Sequence, residues 1–206
     1  MTAPMFPLML NLVGRSVFVV GEGDEAAARA KDLAAHGADP VVLFRPDAAV
    51  EEPPGPSQTG LSQAGPSHAG PSQARWPTPD DFARYAPSLV FATTLPDDVR
   101  DLVIALARRG GALVHIQDRI EYCDFHLPAR LRRGRLLVTV STDGAVAGLS
   151  RLLRDHLGSH VFSEAWAERL EEIAGCRSLW KTQGLRAGAL FAKIAGLVES
   201  RGWLGR

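Results

Sequence analysis

An α/β fold built on a parallel sheet, running into a helical C-terminal part, is what this sequence predicts, and three observations predict it. Unbroken apolar, β-branched runs of about five residues recur through the first 140 positions, each stopping at a turn residue. That is how strands buried on both faces read. Alanine-rich or amphipathic stretches of helical length separate several of them. Beyond Leu149 the apolar residues keep helical spacing.

The first run is Ser16-Val17-Phe18-Val19-Val20, which ends at Gly21. A helix follows from about Glu25 to Ala35, with Gly37 placed to terminate it. Pro40-Val41-Val42-Leu43-Phe44 is the second strand. Strand, glycine turn, helix and strand make a βαβ unit, whose strands lie parallel through a right-handed crossover. Order resumes at Asp80-Asp81-Phe82, with a strand at Ser88-Leu89-Val90-Phe91-Ala92 and a helix from about Pro96 to Arg109. Gly110-Gly111 ends that helix, and Ala112-Leu113-Val114-His115-Ile116 is a further buried strand that delivers Gln117-Asp118 into a loop. In open α/β sheets ligands bind at that edge. A basic turn, Arg130-Leu131-Arg132-Arg133-Gly134-Arg135, precedes a strand at Leu136-Leu137-Val138-Thr139-Val140. The tail, with Trp166, Leu170, Ile173, Leu179, Trp180, Leu190 and Phe191 among its apolar positions, reads as a packing and dimerisation element.

Between about Glu51 and Ala74 the composition shifts to Pro, Gly, Ser, Gln and Ala, with a five-residue repeat in Gln63-Ala64-Gly65-Pro66-Ser67 and His68-Ala69-Gly70-Pro71-Ser72. Such a segment cannot build a core, so a disordered or extended spacer is expected, with a sheet element lost or shortened where it enters.

Composition narrows the function classes. Lys plus Arg and Asp plus Glu both total 23, so no net field favours nucleic acid or an anionic membrane. Cys123 and Cys176 form no CxxC or Cys/His pattern, and the start of the chain lacks the basic and apolar regions of a signal peptide. A cytoplasmic setting fits best, with no membrane partner.

Two constellations point to chemistry. Gly21-Glu22-Gly23-Asp24-Glu25-Ala26 fits G-x-G-x-x-G/A directly after a strand and before a helix. The chemistry needs glycine there because the backbone must turn tightly and let a pyrophosphate approach amides at a helix N-terminus. Glu22, Asp24 and Glu25 also place three carboxylates where that phosphate would sit. After the second strand comes Arg45-Pro46-Asp47, in which Asp47 could meet the ribose of NAD or Arg45 a 2′-phosphate; both could instead only close a turn. The second constellation is His115-Ile116-Gln117-Asp118 followed by Cys123-Asp124-Phe125-His126. Asp118, at a strand end facing the expected cleft, can exchange a proton or steer a metal ion; an N-cap or turn role is the alternative. Cys123 and His126 are two metal-ligand types, but two ligands close no site, and a buried thiol beside a surface imidazole is the simpler reading.

Phe6-Pro7-Leu8-Met9-Leu10-Asn11-Leu12, Val19-Val20-Gly21-Glu22-Gly23, Asp118 with Cys123-Asp124-Phe125 and Pro128-Ala129, and Ser141-Thr142-Asp143-Gly144 before Arg151-Leu152-Leu153-Arg154 fall in the order and spacing of one family. In these residues the chain resembles the siroheme-synthase N-terminal module, the precorrin-2 dehydrogenase and sirohydrochlorin ferrochelatase. The resemblance covers most of residues 5 to 158, and the block around Cys123-Asp124-Phe125 is its most specific part. It implies a Rossmann-like domain over residues 1–117, a central dimerisation and substrate region over 118–148, and a helical C-terminal domain over 149–206. It also implies a homodimer that oxidises precorrin-2 to sirohydrochlorin with NAD, with ferrous iron as a further substrate in some members. Asp118 would then be catalytic, and Gly21, Gly23, Asp24, Glu25, Arg45 and Pro46 would form the nucleotide site. Thr142, Gly144 and His115 would lie near the tetrapyrrole, and Arg130, Arg132, Arg133 and Arg135 could meet its carboxylates or form only a solvated basic turn. Departures from the family pattern are Glu22 at its middle glycine, Thr94-Leu95-Pro96 for its Thr-Asp-Asp, Val146-Ala147 for its Ser-Pro, and His115 for an asparagine. The rival expectations are a metallochelatase that does not use NAD, and a noncatalytic tetrapyrrole- or nucleotide-binding module.

Overall fold

The computed structural model describes residues 5–47 and 71–204 and divides the chain into two compact units, Met1–His126 and Leu127–Arg206. The first unit holds β1 (Val17–Val20), α1 (Gly23–Ala35), β2 (Val41–Phe44), β3 (Ser72–Gln73), α2 (Pro79–Tyr85), β4 (Leu89–Ala92), α3 (Asp97–Arg109) and β5 (Leu113–Ile116). Its strands form one parallel sheet in the order β3-β2-β1-β4-β5, with Val17 opposite both Val41 and Leu89, and Leu89 opposite Leu113. The chain leaves β1 toward one edge and returns to the other side of it at β4. The reversal opens a crevice at the carboxyl ends of β1 and β4, where a doubly wound sheet places its ligand.

The sheet explains why the strand sequences are uniformly apolar. Val17, Phe18, Val19 and Val20 are all fully buried, because helices cover both faces. On one face Phe18, Phe44, Phe82, Val90 and Val114 pack with Val103, Ile104 and Ala107 of α3. The Phe18 ring meets Phe44 and Phe82 edge-on at 4.9 and 5.0 Å. The other face sets Val17, Val19, Val41, Leu89 and Phe91 against Ala26, Leu33 and Ala34 of α1. α2 starts with a capping box: Thr78 and Asp81 exchange side-chain and backbone bonds, and Asp81 also grips Arg75 at 2.6 and 2.8 Å.

The spacer expected over 51–74 lies outside the described residues for positions 51–70. Its last residues are ordered, which corrects that expectation. Leu43 donates to the Pro71 carbonyl at 3.2 Å and Arg45 to that of Gln73 at 2.8 Å, making β3 a two-residue strand on the edge of β2. The shortened sheet element is therefore present, in a sequence whose composition conceals it.

The second unit comprises an antiparallel hairpin, β6 (Ala129–Arg133) with β7 (Leu136–Val140), and three helices, α4 (Ala147–His160), α5 (Trp166–Thr182) and α6 (Ala187–Ser200). The expected basic turn is largely strand: only Gly134-Arg135 reverse the chain, and Arg130 to Arg133 belong to β6. Alternation places Arg130 and Arg132 outward and leaves Leu131 and Arg133 half-buried, a period-two pattern masked by the charge of the run. Arg133 donates to the Phe162 carbonyl at 3.0 Å and pairs with Glu164 at 3.1 Å, fixing the segment after α4. α4 lies on the hairpin so closely that a Cβ at Gly158 would sit 3.2 Å from Leu131. Farther along, the Arg169 guanidinium stands 5.4 Å from the rings of both Trp166 and Trp203. Among the described residues no helix is long and apolar enough to cross a membrane.

Candidate nucleotide site and the Asp118 loop

The turn after β1 is shaped by its neighbour strand. The Gly21 amide donates to Phe44 at 3.0 Å, and Thr93, one residue beyond β4, donates its amide to Val20 at 3.0 Å. These bonds bring Thr93 under the turn. A Cβ on Gly21 would lie 1.8 Å from the Thr93 hydroxyl oxygen, and φ there is +154°, so glycine is required on two counts. The Thr93 hydroxyl is itself buried, with no hydrogen-bond partner among the described residues.

Gly23 opens α1 at φ +75°, with no atom within 4 Å of where a Cβ would stand. Its amide donates to the Asp47 carboxylate at 2.9 Å, and Asp47 in turn accepts from Arg45 at 3.1 Å. The Arg45 guanidinium and the Gly23 amide hold the Asp47 carboxyl below its usual range. Pro46 lies between the two charged residues, half-buried. At the N-terminus of α1, Glu22 makes no side-chain cap, and the amides that follow Gly23 have no side-chain partner among the described residues. One carboxylate of the acidic turn is hydrogen-bonded by the fold: Gln117 donates to Glu25 at 3.0 Å, across 92 positions of sequence. Glu22 and Asp24 stay exposed.

These features fit a dinucleotide. The open space over Gly23 and the free helix-end amides suit a pyrophosphate. A carboxylate at the end of β2 suits ribose hydroxyls and would repel a 2′-phosphate. The Asp47 carboxylate stands at the glycine turn and is bound there by both Gly23 and Arg45.

Asp118 follows β5 and Gln117 at the same sheet edge. It is exposed, adopts a left-handed backbone at φ +57°, and makes no side-chain hydrogen bond among the described residues. Aspartate adopts that conformation more readily than most residues, and Asp143 and Ala86 share it. Three residues earlier, His115 is half-buried between Phe91 and Phe125, with ring centroids at 6.0 and 5.5 Å, and its Nδ1 donates to the Phe125 carbonyl at 3.1 Å. Burial lowers the basicity of His115, and the nearby Arg29 adds to this. The imidazole is therefore neutral, with Nε2 as its remaining acceptor.

The Cys123-Asp124-Phe125 block mimics a strand along the open edge of β5. Asp124 accepts the Val114 amide through its carboxylate at 2.9 Å and returns its own amide to the Val114 carbonyl at 2.8 Å. The Cys123 thiol stands 3.3 Å from the Ile116 amide and 3.2 Å from its carbonyl, and burial pushes the thiol up from its ordinary value. Arg108 of α3 binds the other Asp124 oxygen at 3.1 Å. Cys123 is thus a structural thiol, and among the described residues no group of three metal-ligating side chains occurs.

In the second unit Thr142 holds the turn before α4. Its hydroxyl accepts the Val146 amide at 3.2 Å and lies 3.1 Å from Ser150 Oγ, while Gly144 adopts φ +80°. The structure therefore brings Gly21, Gly23, Glu25, Arg45, Pro46, His115 and Asp118 to one sheet edge of the first unit, and sets Thr142 and Gly144 in the second. Sequence reading missed Gln117 and Thr93, whose roles depend on which strand ends become neighbours.

Residues 8–129 match a family model described as "Putative NAD(P)-binding". The fold and the glycine turn define the same class, and the chain belongs to that NAD(P)-binding family. Within it, the chain is similar to siroheme synthases and to a precorrin-2 dehydrogenase. Siroheme synthase from Nitrosococcus oceani is 29% identical over 187 residues, which cover 90% of this chain and 37% of that protein. Siroheme synthase from Nitrosomonas eutropha is 33% identical over 152 residues, 74% of this chain and 30% of its own length. The chain thus spans about a third of the siroheme synthases it matches. Precorrin-2 dehydrogenase from Priestia megaterium is 26% identical over 176 residues, 85% of this chain and 80% of that protein. Among solved structures, SirC, a precorrin-2 dehydrogenase, has the same fold with a TM-score of 0.70 at 21% identity, over 94% of this chain and 89% of that one.

Proposed function

We propose that the chain oxidises precorrin-2 to sirohydrochlorin with NAD. The observation that supports this best is the meeting of two groups at one sheet edge: a glycine turn with an acid at its ribose position, and an exposed carboxylate on a constrained backbone. Gly23, the free amides of α1 and Asp47 would hold the dinucleotide, which supplies a hydride acceptor. The substrate loses two hydrogens, one as hydride to NAD and one as a proton. Asp118 is placed to take that proton, and its exposure allows onward release to water. The Priestia megaterium relative, named for this reaction, matches most of its own length.

Thr142, Gly144 and His115 are proposed as tetrapyrrole contacts on the family resemblance. A homodimer is supported by that resemblance and by α4, whose Leu149, Leu152 and Leu153 are exposed on one face. Ferrous iron would enter as a second substrate, steered by the same Asp118, in keeping with the siroheme synthase relatives.

The test is spectroscopic. Purified protein with precorrin-2 and NAD should yield the sirohydrochlorin chromophore, and Asp118→Asn should lose it while NAD binding persists. NAD binding by calorimetry with no turnover in the intact protein would favour a binding module. Metal insertion into sirohydrochlorin without NAD binding would favour the chelatase reading.

A further inference from the structure

We propose that Arg29 of α1 seats one carboxylate of the tetrapyrrole beside Asp118, and is thus a substrate-binding residue of the reaction. The inference rests on the dehydrogenase reading above for the class of substrate, and on the first unit alone for its geometry.

Glu25 and Arg29 are four apart on α1, so their side chains leave the same face on successive turns. Glu25 accepts from Gln117 at 3.0 Å, which turns that face toward the C-terminal end of β5, one residue before Asp118. One turn farther along, the Arg29 guanidinium stands 5.9 Å from the centre of the Phe91 ring. His115 packs on the same ring at 6.0 Å, and Phe91 and His115 are partners across β4 and β5. Arg29 disfavours the charged form of His115 and Asp118 favours it, so a cation, an imidazole and a carboxylate gather at this edge.

Arg29 differs from the other arginines of the first unit in that its donors are unused. Its side chain is only 29% exposed, yet it makes no hydrogen bond among the described residues. Its ion pair with Asp32 is long, at 4.0 Å, and Asp32 also meets His36 at 3.5 Å. Arg45, Arg75, Arg100 and Arg108 each donate to a protein oxygen at between 2.6 and 3.1 Å. A partly desolvated guanidinium resting on an aromatic ring keeps a planar fork of donors ready, and a carboxylate can take two of them in parallel. A tetrapyrrole carries its carboxylates on the rim of an apolar ring, and the half-buried rings of His115 and Phe125, 5.5 Å apart, offer that ring a contact next to Arg29.

The experiment is an absorbance titration of the full chain with metal-free sirohydrochlorin, without NAD. The parent should bind saturably, and Arg29→Gln should weaken binding by roughly tenfold or more, with part of the loss recovered in Arg29→Lys. Arg84→Gln, the same loss of charge at an exposed position of α2, should bind as the parent does. In turnover, Arg29→Gln should raise KM for precorrin-2 far more than it lowers kcat, and an unchanged calorimetric affinity for NAD will show that the variant is folded. Parent affinity in Arg29→Gln, or no saturable binding by the parent, would overturn the site. Binding that depends on Arg29 but is not followed by oxidation of precorrin-2 would sink the dehydrogenase reading and leave the site standing.

Discussion

Gly21 and Thr93 show how tightly the nucleotide crevice is fixed by single atoms. With a Cβ at Gly21 only 1.8 Å from the Thr93 oxygen, Gly21→Ala must displace β4 or the turn. A loss of about 1–3 kcal/mol in urea unfolding, with weakened NAD binding, is the expected result. Thr93→Val removes a buried hydroxyl that has no partner among the described residues, so it should leave stability unchanged or raise it by up to about 1 kcal/mol. His115 gives a pH signature. Its folded basicity lies below the ordinary value of 6.5, so the unfolded chain binds the proton more readily. The contribution to stability is complete above about pH 6.5 and is lost as pH falls from there through the lower folded value. Unfolding free energies measured from pH 7 to pH 5 should therefore fall less steeply in His115→Asn than in the parent. At this scale the sequence was legible for Gly21, Gly23 and Asp118, because motif and context agree. It was mute on Thr93 and Gln117, whose partners are set by strand order.

Elements were legible where burial is two-sided. β1, β2 and β4 announce themselves as apolar runs because helices cover both faces, and β5 does so although Leu113 is exposed at the sheet edge. β3 and β6 were hidden for opposite reasons. β3 is two residues at the rim, held by main-chain bonds that any sequence can make, and β6 is one-sided and dense in arginine. The Cys123-Asp124-Phe125 block taught the most, because its specificity comes from architecture. A carboxylate that replaces a missing strand at the rim of β5 explains why these residue types occur together. Asp124→Ala leaves the Val114 amide unpaired, and a cost of about 1–3 kcal/mol is expected. Hydrogen exchange should show the loss locally, as faster exchange at Val114 and Ile116 with little change at Val19 or Val42.

For the whole molecule, the exposed face of α4 is the feature that a single chain leaves unexplained. Leu149, Leu152 and Leu153 are 44, 69 and 42% exposed, although their helical spacing reads as a core stripe. Water contact on such a face is costly, and a second copy would relieve it. Light scattering should find a dimer for the parent and a monomer for Leu152→Glu, with NAD affinity retained because the nucleotide turn belongs to the other unit.

On the proposed function, the bond from Gln117 to Glu25 would set an order of events. An incoming diphosphate would repel the Glu25 carboxylate and release the amide that holds it, one residue before Asp118. Occupation of the glycine turn would then be felt at Asp118 before the second ligand arrives. Steady-state inhibition by the reduced dinucleotide should be competitive with NAD and noncompetitive with the tetrapyrrole, the pattern of an obligatory nucleotide-first sequence. Gln117→Leu should convert it to random addition.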